Sequence, residues 1–305
     1  MNFDLSDEQR ALGSAARDFF SKAASPADSR NALEDGSPTA PGLKSVVDTG
    51  FHAILQEGGS VLDLAVVATE AGRVLAAPSF AGFGRVSVLA PDEDLAAGVA
   101  VVDGGPALDA ATATVYYAMQ DGALVRGSGT AVQGAHIDPT RGLATVSLDS
   151  PTAVDGADRW TKALQVGQVL LAAEGLGTAE RAVELGVQYA KDRKAFGRAI
   201  GSYQAVKHAL VNAFVGVEQL RSLVWWAAWA ADESPGELPL AAAAAKGLSA
   251  TVLEQATETL IQVHGGIGFT WEHDAHLYWR RAKVDRLLLG DDVEAYDTVA
   301  RLALA

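Results

Sequence analysis

Apolar residues recur at helical spacing through the first part of the chain. The stretch "SDEQRALGSAARDFFSKA" begins with Ser6 as the expected N-cap and carries Gln9 three residues later, which is a capping-box pattern. A loop is predicted over residues 24–42, and further helices are predicted in residues 42–55 and 60–76. This part of the sequence predicts a helical domain over residues 1–80.

The period of the pattern changes over residues 81–158. Short runs of alternating or β-branched residues are separated there by Gly, Pro and Asp, as in the strands of a small antiparallel sheet. The predicted strands are "VSVLA", "GVAVVDG", "ATVYYAMQ", "ALVRGSG", "TAVQGA" and "LATVSLD". We therefore expect a reduced middle β domain in this segment.

Long helical patterns return over residues 159–305. Residues 163–190 are apolar nearly all round, which is typical of a helix buried in a bundle. Apolar residues three and four apart then mark one face of each of two further helices: Val206, Leu210, Phe214, Val217, Leu220 and Val224, then Leu248, Val252, Ala256, Leu260 and Val263. The sequence predicts an α+β fold, mostly α, that ends in a four-helix bundle.

Composition narrows the class of protein. Apolar residues make up 49% of the chain and charged residues 20%, as in an ordinary globular protein. No run of eighteen apolar residues predicts a membrane span, and the acidic start "MNFDLSDEQR" is unlike a secretory or transit peptide, so we expect a cytoplasmic protein. The formal charge of −14 argues against nucleic acid or an anionic membrane as partner, and zero cysteines exclude thiolate chemistry.

The first candidate site is the segment "KDRKAFGRAIGSYQAVKH". We expect one helix to end near Lys194 and the next to begin with Ser202 as its N-cap, and helix N-termini attract anions. The guanidinium of Arg193 suits a phosphate, and Phe196 offers either a flat face for a purine or a plug for the core. A surface loop with a buried Phe and solvated basic residues explains the same spacing equally well.

The second candidate site is "QVHGGIGFTWEHDAHLYWRRAK", which follows a predicted helix. Its glycines allow a backbone to pass close to a ligand or another chain, although many helices simply end in glycine. His264, His273 and His276 invite a metal interpretation, but the only close pair is spaced i,i+3 and has no convincing third ligand. Polar side chains on a solvated or interfacial helix are favoured, and no metal site is predicted.

Taken together, the two segments resemble the acyl-CoA dehydrogenase family. The family pattern R-x-x-F-G-x-x-I-x-x-x-Q is matched by Arg193, Phe196, Gly197, Ile200 and Gln204, and the pattern Q-x-x-G-G-x-G by Gln262, Gly265, Gly266 and Gly268. The resemblance implies FAD as cofactor, shared across a subunit interface. It also implies that Arg193, Phe196, Gln204, Gln262, Gly265 and Gly266 bind the diphosphate and adenosine of a flavin held by a neighbouring subunit.

The sequence departs from the family where the catalytic base is expected. The usual glutamate position, just before a glycine, is occupied by Leu289, and the alternative position on the first helix of the bundle is Gly167. The segments that line the flavin ring in active members are also missing from residues 81–158. No catalytic residue is therefore assigned to this chain.

A chain that keeps the flavin-binding residues and lacks the base resembles one subunit of the α2β2 heterotetrameric acyl-CoA dehydrogenases of actinobacterial type, such as those of steroid side-chain catabolism. We call it the completing subunit, because it completes the flavin site of a partner that supplies the base. That resemblance implies a homologous partner subunit that holds most of the acyl-CoA, and an electron-transfer flavoprotein as electron acceptor.

Two alternatives remain open. One is a self-sufficient homo-oligomeric flavoenzyme in which Glu174 serves as a relocated base. The other is a scaffolding subunit that has lost flavin.

Overall fold

The structure is a computed structural model that describes residues 4–135 and 137–304. Helices dominate the described residues, and a small sheet separates two helical regions. The α-helices are α1 (Asp7–Ala23), α2 (Pro26–Asp35), α3 (Leu43–Val47), α4 (Val61–Arg73), α5 (Phe80–Leu89), α6 (Trp160–Asp192), α7 (Gln204–Glu233), α8 (Leu238–His264), α9 (Ala275–Asp285) and α10 (Asp292–Ala303). The strands are β1 (Val99–Val102), β2 (Val115–Gln120), β3 (Ala123–Val132), β4 (Thr145–Val154), β5 (Lys194–Ala195) and β6 (Arg198–Ala199). The predicted α+β, mostly helical fold class is confirmed.

Capping explains the start of the first helix. The amide of Gln9 donates to Ser6 Oγ at 3.1 Å, and the amide of Ser6 donates to Gln9 Oε1 at 3.0 Å, so the predicted capping box is present. The loop predicted over residues 24–42 was wrong in its first half, because α2 forms there with Pro26 in its first turn. The helix predicted in residues 42–55 is interrupted by Gly50, whose φ is +80°, and only α3 and a 3₁₀ turn (Phe51–Ala53) form.

The sheet has the order β1-β2-β3-β4. The expectation of a purely antiparallel sheet was wrong for one pair, since β1 runs parallel to β2 with Val99 opposite Val115. The runs "ALVRGSG" and "TAVQGA", predicted as two strands, form the single strand β3, which is bulged between Arg126 and Ser128.

The prediction of a strand at "VSVLA" was also wrong. These residues belong to the end of α5, which begins after Ser79, whose side chain accepts a hydrogen bond from the amide of Ala81. Almost every residue of α5 is buried, so its short apolar run carries no period that separates a helix from a strand.

The C-terminal helices form the predicted bundle. α6, α7 and α8 pack on one another, and α10 packs on α8. The predicted buried face of α7 is largely confirmed, but Phe214 is 52% exposed and lies beside the exposed Val211 and Val215. Within residues 4–135 and 137–304, no helix has the length and apolar content needed to cross a membrane.

Candidate functional site

The first predicted site lies at the end of the bundle where α6 ends and α7 begins. α6 ends at Asp192, close to the predicted position, and the amide of Arg193 donates to the carbonyl of Tyr189 at 2.9 Å. Tyr203 precedes α7, so the assignment of Ser202 as N-cap was wrong. The hydroxyl of Ser202 instead donates to the carbonyl of Ala199 at 2.7 Å, within the 3₁₀ turn that delivers the chain to α7.

Between the two helices, β5 and β6 form a minimal hairpin with Phe196 and Gly197 at its tip. Both tip residues have positive φ values, +50° for Phe196 and +79° for Gly197, as a two-residue turn with the correct twist requires. A left-handed conformation costs a residue with a side chain about 1–2 kcal/mol. The ring of Phe196 is nevertheless 97% exposed, so nothing in its own chain offsets that cost.

The second predicted site is the turn after α8. Gly265 adopts φ +65° and ψ −142°, a conformation open to glycine, and a Cβ placed on Gly265 or Gly266 would meet no atom within 4 Å. Gln262, one turn earlier, is exposed. The turn therefore presents open backbone to the outside of the molecule.

The two sites lie at the same end of the bundle because α6 and α8 run in the same direction and end together. The ring of Tyr189, in the last turn of α6, stacks on the ring of His264, the last residue of α8, with centroids 3.9 Å apart. Arg193, Phe196 and Gln204 on one side, and Gln262, Gly265 and Gly266 on the other, are all solvent-exposed there. The exposed Phe196 removes the interpretation of this segment as a loop with a buried Phe.

The positions expected for a catalytic base meet at the opposite end of α6. A Cβ on Gly167 would lie 3.1 Å from Leu289 Cδ1 and 2.7 Å from both Cγ and Cδ of Arg85. Arg85 and Leu289 border a cavity of about 1100 Å³ that is walled by the start of α6, the end of β1 and the turn before α10. The rise of an α-helix, about 1.5 Å per residue, places Gly167 about 39 Å from Arg193.

Arg85 fills the space beside Gly167, and no motif or spacing pointed to this residue. The Arg85 guanidinium donates to both carboxylate oxygens of Asp103, at 2.6 and 2.7 Å, and lies 5.7 Å from the ring centre of Trp160. Three carboxylates border the cavity, those of Asp103, Asp291 and Glu294. Asp103 is bound to Arg85, and Asp291 caps α10 by accepting from the amide of Glu294 at 2.9 Å.

Glu174, the carboxylate considered as a relocated base, does not border the cavity. It lies in a buried ionic cluster, defined here as Asp109, Asp138, Arg141, Glu174, Arg281 and Asp285. Its oxygens accept hydrogen bonds from the hydroxyl of Ser79, the amide of Phe80 and the guanidinium of Arg141. These three donors fix the Glu174 carboxylate in the core, away from the cavity.

The three histidines at the end of α8 and in the segment that follows it do not converge on a metal. His264 Nδ1 donates to the carbonyl of Leu260 at 2.8 Å, and His273 Nδ1 accepts from the amide of Ala275 at 3.1 Å. Burial lowers the pKa of both groups, and it lowers the pKa of His276 to about 4. Across the part of the chain that the structure describes, no group of three His, Asp or Glu side chains is arranged to hold a metal ion.

Comparison with known proteins identifies the family. Residues 154–304 match the family described as acyl-CoA dehydrogenase, C-terminal domain. Acyl-CoA dehydrogenase IpdE2 of Mycobacterium tuberculosis is 36% identical over 248 residues, covering 76% of this chain and 74% of that protein.

Solved structures agree with this in fold. A chain of the ChsE4–ChsE5 complex from Mycobacterium tuberculosis matches with a TM-score of 0.85 at 20% identity, and the match covers 100% of this chain and 100% of that chain. A G363A variant of the Tcur3481–Tcur3483 steroid ACAD matches with a TM-score of 0.83 at 21% identity, covering 98% of this chain and 99% of that chain. The chain therefore belongs to the acyl-CoA dehydrogenase family.

Proposed function

We propose that this chain is the completing subunit of a heteromeric, FAD-dependent acyl-CoA dehydrogenase. In this proposal the chain binds the diphosphate and adenosine of a flavin whose ring lies in a homologous partner subunit. The partner also supplies the catalytic base. The pair would form an α2β2 assembly acting on an acyl-CoA, and the steroid ACAD among the similar structures supports a steroid-derived acyl group.

The observation that carries the proposal is the separation of two half-sites along α6. The residues suited to a dinucleotide are exposed at one end, about 39 Å from Gly167, which packs at the other end against Leu289 and Arg85 of the cavity wall. No side chain spans that distance. A ligand held by Arg193 and the Gly265 turn therefore has its other end on a different chain.

The chemistry of the exposed end fits the outer half of a flavin dinucleotide. Arg193 is exposed and forms no ion pair within residues 4–135 and 137–304, so its planar fork remains available to a diphosphate. Gly265 and Gly266 leave room for a close approach of backbone amides to phosphate oxygens. Phe196 offers an aromatic face to an adenine or to the surface of the partner.

A partner surface is available beside this end. Val211 lies one turn before Phe214 and Val215 on the outer side of α7. The three side chains are 55%, 52% and 47% exposed, respectively. Contiguous exposed apolar residues on a helix mark contact with another protein more often than contact with solvent. These residues favour a second subunit packed against this part of α7.

The opposite end supports the assignment of the base to the partner. Dehydrogenation of an acyl-CoA removes the proton alpha to the thioester with a carboxylate base, and the bound flavin supplies the acceptor for the beta hydrogen as hydride. Gly167 and Leu289 provide no carboxylate, and the carbon chain of Arg85 occupies the adjoining space. An electron-transfer flavoprotein is the proposed acceptor of the electrons.

The first test is the flavin content of the chain purified alone and after co-expression with its homologous partner. We expect no visible flavin spectrum for the lone chain, and about one flavin for each pair of chains in the complex. In the complex, Arg193→Ala should release most of the flavin. Arg193→Lys should retain only part of it, because an ammonium lacks the planar fork. Lys191→Ala removes an exposed charge at the same end and serves as the matched control.

Two outcomes would overturn the proposal. Unchanged flavin content in the Arg193→Ala complex would favour the scaffolding subunit. Stoichiometric flavin in the lone chain, bleached by an acyl-CoA, would favour the self-sufficient flavoenzyme.

The assignment of the base has its own test. Glu294 borders the cavity, and its Oε2 lies 3.1 Å from the Cβ position of Gly290, next to Leu289. If the partner supplies the base, Glu294→Gln should change turnover by the complex less than about twofold, whereas loss of a true base costs about 10²–10⁴-fold. A loss of that size would place the base in this chain.

A further inference from the structure

A stack of three rings joins the two halves of the exposed flavin-binding end. Tyr189 and His264 stack with an interplanar angle of 27° and centroids 3.9 Å apart, and His273 follows with its centroid 4.1 Å from that of His264. The rings come from the end of α6, the end of α8 and the segment before α9.

Tyr189 and His264 each adjoin a residue of the proposed site along the backbone. The carbonyl of Tyr189 accepts a hydrogen bond from the amide of Arg193 at 2.9 Å. The position of Tyr189 therefore influences the position at which the hairpin begins after α6. His264 immediately precedes Gly265 and is 5% exposed. A Cβ on Gly268 would lie 3.0 Å from His264 Cβ, which means that the glycine turn folds back against this histidine.

The hydrogen bonds of the stack define which nitrogen carries the proton in each imidazole, and that of His273 also requires an uncharged ring. The carbonyl of Leu260 can only accept, so His264 carries its proton on Nδ1. The amide of Ala275 can only donate, so Nδ1 of His273 is unprotonated. A proton added to His273 at Nδ1 would break that hydrogen bond, and charging both rings would place two like charges about 4 Å apart.

The surroundings offer little to offset such charges. The titratable and charged groups around the two rings are Tyr189 on α6, Arg30 on α2, and Asp274 and His276 on the side of α9. Arg30 is ion-paired with Asp274, so the nearest carboxylate is already engaged. Burial lowers the pKa of both His264 and His273.

We propose that Tyr189, His264 and His273 form a positioning clamp that holds the Arg193 hairpin and the Gly265 turn in register, so that both motifs grip one flavin while the imidazoles are neutral. This inference rests on the function proposed above. The three residues are positioning residues, since they act through Arg193 and the glycine turn. Protonation of the imidazoles would open the clamp and release flavin at mildly acidic pH.

The test measures the affinity of the co-expressed complex for added FAD, by the change in flavin fluorescence, between about pH 5 and pH 8. For the unmodified complex we expect constant affinity above about pH 7 and at least about tenfold weaker binding near pH 5, because small misplacements of binding groups are costly. His264→Phe keeps a flat ring and removes one of the two titrating imidazoles together with the like-charge repulsion between them, so it should bind FAD normally at neutral pH with a flatter profile. At every pH, His264→Ala should bind FAD at least about tenfold more weakly than the unmodified complex does at neutral pH.

His52→Phe is the matched control. His52 is also half-buried against an aromatic ring, that of Phe83, and burial lowers its pKa, but it lies in the N-terminal helical region. This variant should reproduce the unmodified profile.

The clamp would be overturned if His264→Phe kept the full pH dependence, or if His264→Ala bound FAD as tightly as the unmodified complex. Arg193→Ala separates this failure from failure of the proposed function. If that variant loses flavin while the His264 variants behave normally, only the clamp is wrong. If it binds flavin normally, the proposed function fails first.

Discussion

Among single residues, Asp109 is a buried acid whose environment opposes its charge. Burial raises its pKa to about 7, and the nearby Glu174 adds to this effect, although the amide of Ser79 donates to its carboxylate at 3.1 and 3.2 Å. A folded-state pKa above the unfolded value favours folding when the group is protonated. The contribution of Asp109 to stability is therefore present at acidic pH and lost as the pH rises through about 7.

Asp109→Asn tests this assignment. Asparagine keeps an acceptor for Ser79, tolerates the left-handed conformation at this position (φ +59°) and carries no charge. We expect the variant to raise the free energy of unfolding by about 1–2 kcal/mol more at pH 8 than near pH 4, measured by urea denaturation. Asp121→Asn is the control, because Asp121 also has a positive φ but is exposed. Equal gains at both pH values would show that charge is not the cause.

Between elements, the closest approach is that of α4 and α6, which touch through their backbones. A Cβ on Gly177 would lie 1.8 Å from the carbonyl oxygen of Thr69, and one on Gly72 would lie 1.9 Å from that of Glu174. The hydroxyl of Thr178 donates to the carbonyl of Gly72 at 2.9 Å across the same crossing. This contact joins the N-terminal helices to the bundle and leaves no room for a side chain.

Gly177→Ala is expected to destabilise the protein by about 3 kcal/mol or more, because a rigid backbone oxygen occupies the space of the new methyl group. Thermal unfolding followed by circular dichroism measures the change. The control is Gly216→Ala in α7, where the nearest atom is a Val252 methyl at 3.3 Å. There the higher helix propensity of alanine should offset the mild crowding. Similar losses in both variants would contradict the argument from backbone contact.

Over the whole molecule, the buried ionic cluster connects the three regions of the chain. Arg141, from the segment between β3 and β4, binds Glu174 of α6 and Asp285 of α9 and is fully buried. Arg281 of α9 binds Asp138 and donates to the carbonyl of Leu75 at 3.2 Å. The position of the sheet relative to the helices, and so the shape of the cavity beside Gly167, depends on these pairs.

Arg141→Met should be among the most destabilising substitutions, costing about 3–5 kcal/mol, because it leaves two carboxylates buried without their partner. Urea denaturation measures the loss, and Arg10→Met, which breaks the exposed pair of Arg10 with Asp7, should cost less than about 1 kcal/mol. A small effect of Arg141→Met would mean that water or rearranged side chains satisfy the cluster.

Local pattern was a good guide to the long elements and a poor one to the short elements. α4, α6, α7 and α8 carry either a helical period or enough apolar length, and the capping box of α1 is a local device that reads directly from Ser6 and Gln9. α5 and the parallel pairing of β1 with β2 were missed. A short buried run has no informative period, and strand direction depends on residues far apart in sequence.

For the site, the sequence by itself determined the residue types at each motif position, and from Arg193, the glycines after α8, Gly167 and Leu289 it predicted a flavin-binding half without a catalytic base. Only the tertiary structure decided where these residues lie. It brought the two motifs to one end of the bundle, where Tyr189 stacks on His264. At the other end it set Gly167 against Leu289 and packed the side chain of Arg85 beside Gly167. The physical reason is that each of these contacts joins residues distant along the chain, and their packing is settled by the whole core at once.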